Sequence, residues 1–374
     1  MTEKLRVGII SAAWGAIAHL PAWRSLDDVE VVAICTSRPE TAKDAAEKFG
    51  VELAFSDYVA MANDARIDIV DAGTRPPLRL PMVSAALNGG KHVYAGMPFG
   101  MNAEESRRME TLRQEKNLVG AVDAFIQATP AARLMRQMIG EGYLGKLGGV
   151  RCTFHLQLFT ETSVNVPGYA WFADPSQGAT VLRNLGGHAL HAIVSMFGNI
   201  TDVIGHGRRT LDRWPMPDGS VLHPEIDDNA VALFRLGDGT VGQLSTAWNA
   251  TDGSGFTLEA WGGKGLLVLH SPTFPQADNT TLSAGLPGGL MDHTLTPVAI
   301  PEPFKQVRGS SLHADTAPAA TFPMATIFRD MTDAIRGGAP AEPGFGQALH
   351  VQTVVDAIER SYAERRWVEV PGSL

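Results

Sequence analysis

Hydrophobic positions in the first 122 residues fall into short, almost unbroken runs separated by longer amphipathic stretches. RVGIIS (6–11), VEVVAIC (29–35), IDIVDAG (67–73), KHVYA (91–95) and LVGAV (118–122) are rich in Val and Ile. That pattern predicts strands buried on both faces of a parallel sheet. Between them, RPETAKDAAEKFG opens at Pro39 and closes at Gly50, and PPLRLPMVSAALNGG ends at Gly89 and Gly90. NAEESRRMETLRQEKN carries its acids early and its bases late. These are helix start and stop signals, the last matched to the helix dipole. Strands alternating with helices predict right-handed crossovers and a doubly wound α/β domain over residues 1–124.

Beyond the helical stretch TPAARLMRQMIGEGYLGKLGG the period changes. VRCTFHLQLF (150–159), NAVALFRL (229–236), TVGQLSTAW (240–248), FTLEAWG (256–262) and GLLVLH (265–270) read as successive strands, several joined by the tight turns GDG and GGKG. This predicts an antiparallel meander. Residues 271–324 hold much Pro, Gly, Ser and Thr with weak periodicity and read as a long surface excursion, a candidate contact with a partner subunit. Two helices close the chain, ATIFRDMTDAIRGG and FGQALHVQTVVDAIERSYAER. The expected fold is α/β: an N-terminal Rossmann dinucleotide-binding domain, then a C-terminal α+β domain (125–374) with a large open antiparallel sheet, for substrate and oligomerisation. The final helix is a candidate to pack back on the first domain.

Composition narrows the function classes. The chain has 374 residues and a net charge of −9, without long runs of one sign. Nucleic acid and anionic membranes are therefore poor partners. Cys35 and Cys152 stand apart without a CxxC, which suits a reducing, cytoplasmic setting. The histidines are dispersed, with neither HxH nor HExxH, so no metal is expected.

The turn RVGIISAAWGAIAHLPA places Ser11, Ala13 and Ala16 where a dinucleotide fingerprint carries three glycines. Small residues there permit a tight turn, approach of backbone N–H groups to a pyrophosphate, and close helix–strand packing. Trp14 and Ile17 belong to the same stretch, and the helix entry attracts anions. After the second strand come Thr36, Ser37 and Arg38 rather than an acid. Hydroxyls and a guanidinium suit a 2′-phosphate that a carboxylate would repel, favouring NADP over NAD.

With these segments in place, the chain resembles the Gfo/Idh/MocA family of sugar and inositol oxidoreductases over nearly its whole length. GIISAAWGAIAHLPA resembles that family's first turn, GTRPPLRLPMVSAALNGGKHVYAGMPFG its central stretch, WFADP…GATVLRNLGGHALHAIVSMFG its substrate-domain motif, and the closing helix and strand its tail. Within the family the sequence is nearest a branch of nucleotide-binding galactose regulators that act as sensors. The resemblance implies coenzyme contacts also at Thr74, Arg75, Pro76, Gly96, Met97 and Pro98, and a homodimer or homotetramer. It also exposes two departures. The family's Glu-Lys-Pro reads Gly96-Met97-Pro98, and its Asp four residues before the histidine is Asn184, while His188 remains.

Methionine carries neither charge nor proton, so His188 is the candidate acid/base and Asn184 the group that orients a hydroxyl. Candidates for substrate contact are Met97, Asp123, Gln127, His155, Gln157, Tyr169, Trp171 and His191. The expected activity is hydride transfer between NAD(P) and a hydroxyl or ketone of a sugar-like or polyol-derived molecule. Two alternatives stay open: an NADP-binding sensor without turnover, and an enzyme that oxidises its substrate transiently for elimination, isomerisation or glycosidic cleavage.

Overall fold

The computed structural model describes residues 3–288, 294–318 and 320–372. The chain divides into two units, Met1–Ala128 with Lys305–Leu349, and Thr129–Phe304 with His350–Leu374.

The first unit is built on six parallel strands: β1 (Leu5–Ile10), β2 (Val29–Cys35), β3 (Leu53–Phe55), β4 (Ile69–Ala72), β5 (His92–Ala95) and β6 (Gly120–Val122). Their order is β3-β2-β1-β4-β5-β6. The apolar runs form the buried strands as expected: Val7, Ile9, Ile69, Val70 and Val93 are wholly inaccessible. β3 escaped the sequence reading because it has only three residues and none of them is fully buried. The helices are α1 (Leu20–Arg24), α2 (Pro39–Phe49), α3 (Tyr58–Ala62), α4 (Pro76–Asn88) and α5 (Ala103–Glu115). Gly50 ends α2 in the left-handed conformation that glycine adopts without a Cβ penalty. Asn102 caps α5 by accepting from the Glu105 N–H.

Residues 305–349 join this unit, which differs from a boundary at 124. Phe328, on the helix Thr321–Ile335, stacks on Trp23 with ring centres 3.7 Å apart. The Arg329 guanidinium grips both Asp28 oxygens at 3.0 and 2.9 Å. Burial works to raise the Asp28 carboxyl, but Arg329 and Arg336 outweigh it and hold its pKa below the ordinary value.

The second unit carries α6 (Pro130–Gly140) and α7 (Gly187–Phe197). Its strands are β7 (Leu147–His155), β8 (Ile200–Arg208), β9 (Trp214–Pro215), β10 (Val221–Leu222), β11 (Asn229–Leu236), β12 (Val241–Ala247), β13 (Gly255–Gly262), β14 (Leu266–Ser271), β15 (Thr281–Gly285), β16 (Thr296–Pro297) and β17 (Val368–Glu369). β9 and β10 pair alone, and the other nine form one sheet in the order β16-β15-β14-β13-β7-β12-β11-β8-β17. The expected antiparallel sheet is corrected here. β7 inserts between β13 and β12 and runs parallel to β12, so the sheet is mixed. Strand β8 was not predicted; its sequence ITDVIGHGR alternates too weakly to announce a half-buried strand.

The 271–324 excursion is also corrected. It supplies the edge strands β15 and β16 and then a return segment that buries Val307, Ala314 and Ala317. Its residues 289–293 and 319 lie outside the described residues.

β11 shows the alternation of a half-covered sheet: Ala230, Ala232, Phe234 and Leu236 are buried while Val231 and Leu233 stand exposed. On that open face a shallow groove of about 350 Å³ lies among Arg151, His206, Leu233, Gln243 and Ser245. Among the described residues no helix is long and apolar enough to cross a membrane.

Replacing Arg329 with Met leaves Asp28 with a weaker set of partners in a poorly hydrated place. The expected loss is about 3 kcal/mol of unfolding free energy, read from urea midpoints. Removing the solvent-screened Arg66–Asp64 pair should leave the urea midpoint essentially unchanged.

Candidate active-site residues

In the first unit the sequence after β1 turns through Ser11–Trp14 and enters a π-helical turn, Gly15–His19, that continues into α1. π-turns are uncommon and concentrate at functional sites. The Ser11 hydroxyl accepts the Ala13 N–H at 3.1 Å, and Ala13 O accepts from Ala16 and Ile17. A Cβ added at Gly15 would come within 3.1 Å of Ile9 Cγ2 and 3.2 Å of Ser11 Cβ. The close helix–strand approach therefore falls on Gly15, with Ala16 buried beside it. Trp14 and Ile17 are exposed, Ile17 by 69 %. The Trp14 indole N–H donates to Asp123 at 3.3 Å.

At the end of β2, Thr36 Oγ1 bonds Thr41 Oγ1 at 2.7 Å and donates to Arg38 O, which fixes the start of α2. Ser37 and Arg38 are exposed. Thr74, Arg75 and Pro76 lead from β4 into α4, and Thr74 Oγ1 lies 3.4 Å from Met82 Sδ. After β5 the turn Gly96-Met97-Pro98 contains a cis Met97–Pro98 bond. Gly96 and Pro98 are buried and Met97 half-buried.

Beneath these turns lies a cluster that the sequence reading only touched. His19 is fully buried between two carboxylates: its Nδ1 is 3.0 Å from Asp71, and its Nε2 faces Asp123 at 3.4 Å. Asp71 also accepts from Trp23 Nε1 at 2.9 Å, and Asp123 from the Tyr94 hydroxyl at 2.9 Å. Burial works against a charged imidazole, but Asp71 and Asp123 overcome it and raise the His19 pKa to about 10. His19 is thus an imidazolium at neutral pH. Burial pushes the Tyr94 phenol well up, and the two carboxylates add to that. Arg79 completes the group: burial lowers its pKa to about 10, resisted by Asp123, Asp71 and Tyr94.

Asp123, a substrate candidate, accepts from Tyr94 and Trp14 and faces His19. Gln127 accepts from Gln347 Nε2 at 2.8 Å. One signal for the cluster was present in the sequence. Asp71 interrupts an otherwise apolar strand, and a charge in a strand buried on both faces requires a partner.

In the second unit a π-helical turn, Leu182–Gly186, runs directly into α7. The helix therefore passes through Gly186 and Gly187, with Asn184 one turn before His188. His188 is 6 % exposed and packs edge-on against Phe274, ring centres 5.1 Å apart. Asn184 is half-buried, and its N–H donates to Thr180 O at 2.9 Å.

Several substrate candidates sit elsewhere. His191 is fully buried, its pKa lowered to about 3 by burial and by His188 and His350. It is a neutral core residue. His155 bonds Ser245 at 2.9 Å on the open face, where Ser245 lines the groove. Its neighbour Phe154 points to the opposite face and meets Phe274 at 5.2 Å, the ring that touches His188. The sheet therefore separates His155 from His188. Gln157 lies past β7, where its Oε1 accepts the Asp252 N–H at 3.0 Å, so the shared strand face with His155 is not formed. Tyr169 and Trp171 lie near each other, 6.3 Å between ring centres, above buried Phe172. No cluster of three or more His, Cys, Asp or Glu suited to a metal occurs among the described residues.

Two family models match the chain: an oxidoreductase family with an NAD-binding Rossmann fold over residues 5–124, and a Gfo/Idh/MocA C-terminal domain over 132–268. The chain belongs to the Gfo/Idh/MocA family. It is 26% identical to levoglucosan dehydrogenase of Pseudarthrobacter phenanthrenivorans over 394 aligned positions, 99% of each chain. It is 26% identical to trans-1,2-dihydrobenzene-1,2-diol dehydrogenase of Bos taurus over 272 positions, 72% of this chain and 75% of that one. In fold it is similar to levoglucosan dehydrogenase solved with NADH and levoglucosan, with a TM-score of 0.87, 24% identity, and coverage of 99% of this chain and 100% of that one.

The residues of the first unit fit a pyridine dinucleotide. They offer an exposed turn at the end of β1, a close approach at Gly15, and exposed polar groups after β2. These features stand at the carboxyl ends of parallel strands on either side of the switch point between β1 and β4.

The His19 charge predicts a pH signature. Its folded pKa of about 10 lies above the unfolded value near 6.5. The stabilisation is therefore complete below about pH 6.5 and is lost as pH rises through about 10. Between pH 7 and pH 10 the wild-type unfolding free energy should fall by about 3 to 4 kcal/mol more than that of His19→Gln, measured by urea denaturation.

Proposed function

We propose that this chain is an NADP(H)-dependent dehydrogenase acting on a secondary hydroxyl, or the corresponding ketone, of a sugar-like or polyol-derived molecule. The observation that carries the reading is His188, held on the same helix as Asn184 in a chain whose other unit belongs to an NAD-binding Rossmann family. When bound, the coenzyme supplies hydride chemistry. His188 takes the hydroxyl proton during oxidation and returns it during reduction, and Asn184 orients the oxygen. Met97 gives a dry, uncharged wall where the family carries lysine, so the acid/base work rests on the histidine. Levoglucosan and dihydrodiol dehydrogenases among the relatives support a polyhydroxylated substrate, and Tyr169 with Trp171 offers flat apolar surface for a sugar face.

The preference for NADP rests on the absence of an acid after β2 and on exposed Ser37 and Arg38. A guanidinium there gains charge-assisted hydrogen bonds from a 2′-phosphate.

Met97 also favours a second reading, a coenzyme-binding sensor without turnover. A panel of polyols and ketones with NADP⁺ or NADPH separates the two. The dehydrogenase reading expects a change in nicotinamide absorbance with at least one compound. A raised melting temperature with NADPH and no turnover across the panel would establish the sensor.

For the active substrate, His188→Ala should lower kcat/KM by about 10²–10⁴-fold while leaving coenzyme Kd within about threefold. Arg38→Ala should weaken NADP⁺ relative to NAD⁺ by roughly tenfold or more in calorimetry, since a charged hydrogen bond contributes about 1.5–3 kcal/mol.

A further inference from the structure

Arg79 lies on the first turn of α4, yet its side chain turns into the first unit and is 1% exposed. Its Nη2 donates to the Thr74 carbonyl, in the turn that follows β4. Its Nε and Nη1 meet no hydrogen-bond partner among the described residues. The guanidinium lies flat against Gly96 in the turn that follows β5. A Cβ at Gly96 would stand 2.8 Å from Nη1, 3.1 Å from Nη2 and 3.2 Å from Cζ. Residue 96 and Arg79 therefore share one volume, and a side chain at 96 would displace the cation. One buried guanidinium thus underlies both turns at the ends of β4 and β5.

A doubly wound sheet binds a dinucleotide along the carboxyl ends of its strands, one mononucleotide to each half. The half that contains β4, β5 and β6 carries Arg79. The two redox forms of a pyridine coenzyme differ there by one formal charge: the oxidised ring is a cation and the reduced ring is neutral. A fixed charge in a poorly hydrated place acts on that difference more strongly than a solvated one. Asp71, Asp123 and Tyr94 are the groups whose charges act on Arg79, and His19 lies between the two carboxylates. The cluster thus holds two cations and two anions, and Arg79 is the member pressed against Gly96. Met97, in the same turn, adds no charge of its own.

We propose that Arg79 sets the redox preference of the coenzyme: its buried cation beneath the Thr74 and Gly96 turns weakens the oxidised form and favours the reduced form. This rests on the reading that the first unit binds a pyridine dinucleotide. Arg79 acts through space on the bound ring. It is neither the proton carrier nor a substrate contact.

The test is the ratio of dissociation constants for NADP⁺ and NADPH, measured by calorimetry on the full chain. The wild type should bind NADPH more tightly. Arg79→Met, which removes the charge but keeps the bulk, should lower the NADP⁺/NADPH ratio of Kd by roughly tenfold, the scale expected for loss of one poorly hydrated unit charge. Arg79→Lys should keep the ratio within about threefold of wild type. A purely structural role would weaken both forms in parallel and leave the ratio unchanged, and that result overturns the proposal. So does a wild type that binds NADP⁺ at least as tightly as NADPH. If Arg79→Met does not fold, Arg79→Gln, which is neutral but keeps a donor for the Thr74 carbonyl, decides, and an unchanged ratio is again fatal. If the wild type binds neither form, the coenzyme reading itself fails, an outcome distinct from an unchanged ratio.

Discussion

An imidazolium locked between two carboxylates is the constraint around which the first unit is arranged. His19 comes from the π-turn after β1, Asp71 from β4 and Asp123 from the end of β6. The cluster therefore ties together three strand ends that are remote in sequence. Each partner alone would be costly to bury. Together they remain charged, because each ion lies within contact distance of an opposite one and aromatic donors complete the carboxylates. The same contacts fix Trp14, which reaches from the β1 turn to Asp123. A change in the buried charge is consequently felt in the turn expected to meet the coenzyme.

The two units bring different resources. The first supplies fixed charge under its strand-end turns: His19 and Arg79 as cations, Asp71 and Asp123 as anions. The second supplies an imidazole on a helix that starts with a π-turn, backed by Phe274. The Gly96-Met97-Pro98 turn itself carries no ionisable side chain. The guanidinium below Gly96 restores a cation to that neighbourhood without offering a proton. A Cβ at residue 96 would crowd that guanidinium, so glycine suits the position.

Much of the fold was legible because it rests on local periodicity. Continuous Val/Ile runs with helix caps gave five of the six parallel strands and their crossovers. Alternation gave β11 to β14 nearly to the residue. The failures have two causes: elements too short to show a period, and segments whose partners lie far away along the chain. β3 is too short to show a period. β7 runs parallel to β12 because of where the sheet places it, which no local turn reports. Residues 305–349 join the first unit through Phe328 on Trp23 and Arg329 on Asp28, contacts spanning some three hundred residues. Among the site candidates, Asn184 and His188 could be put on one helix from spacing alone. His155 could not be placed, since a strand's alternation says that 154 and 155 face opposite ways but not which face His188 will share.

The sequence by itself determined the alternating strand–helix order of the first unit, the small-residue turn after β1, the uncharged Gly96-Met97-Pro98 turn after β5, and the spacing that puts Asn184 one helical turn before His188. These are properties of neighbouring residues and their spacing. Only the tertiary structure decided that Asp71, Asp123, His19 and Arg79 form one buried cluster, that Gly96 leaves its space to a guanidinium, and that His155 bonds Ser245 while His191 is buried in the core. Charge pairing and burial depend on distance in space, and the four cluster residues are drawn together from across more than a hundred positions by the packing of the sheet.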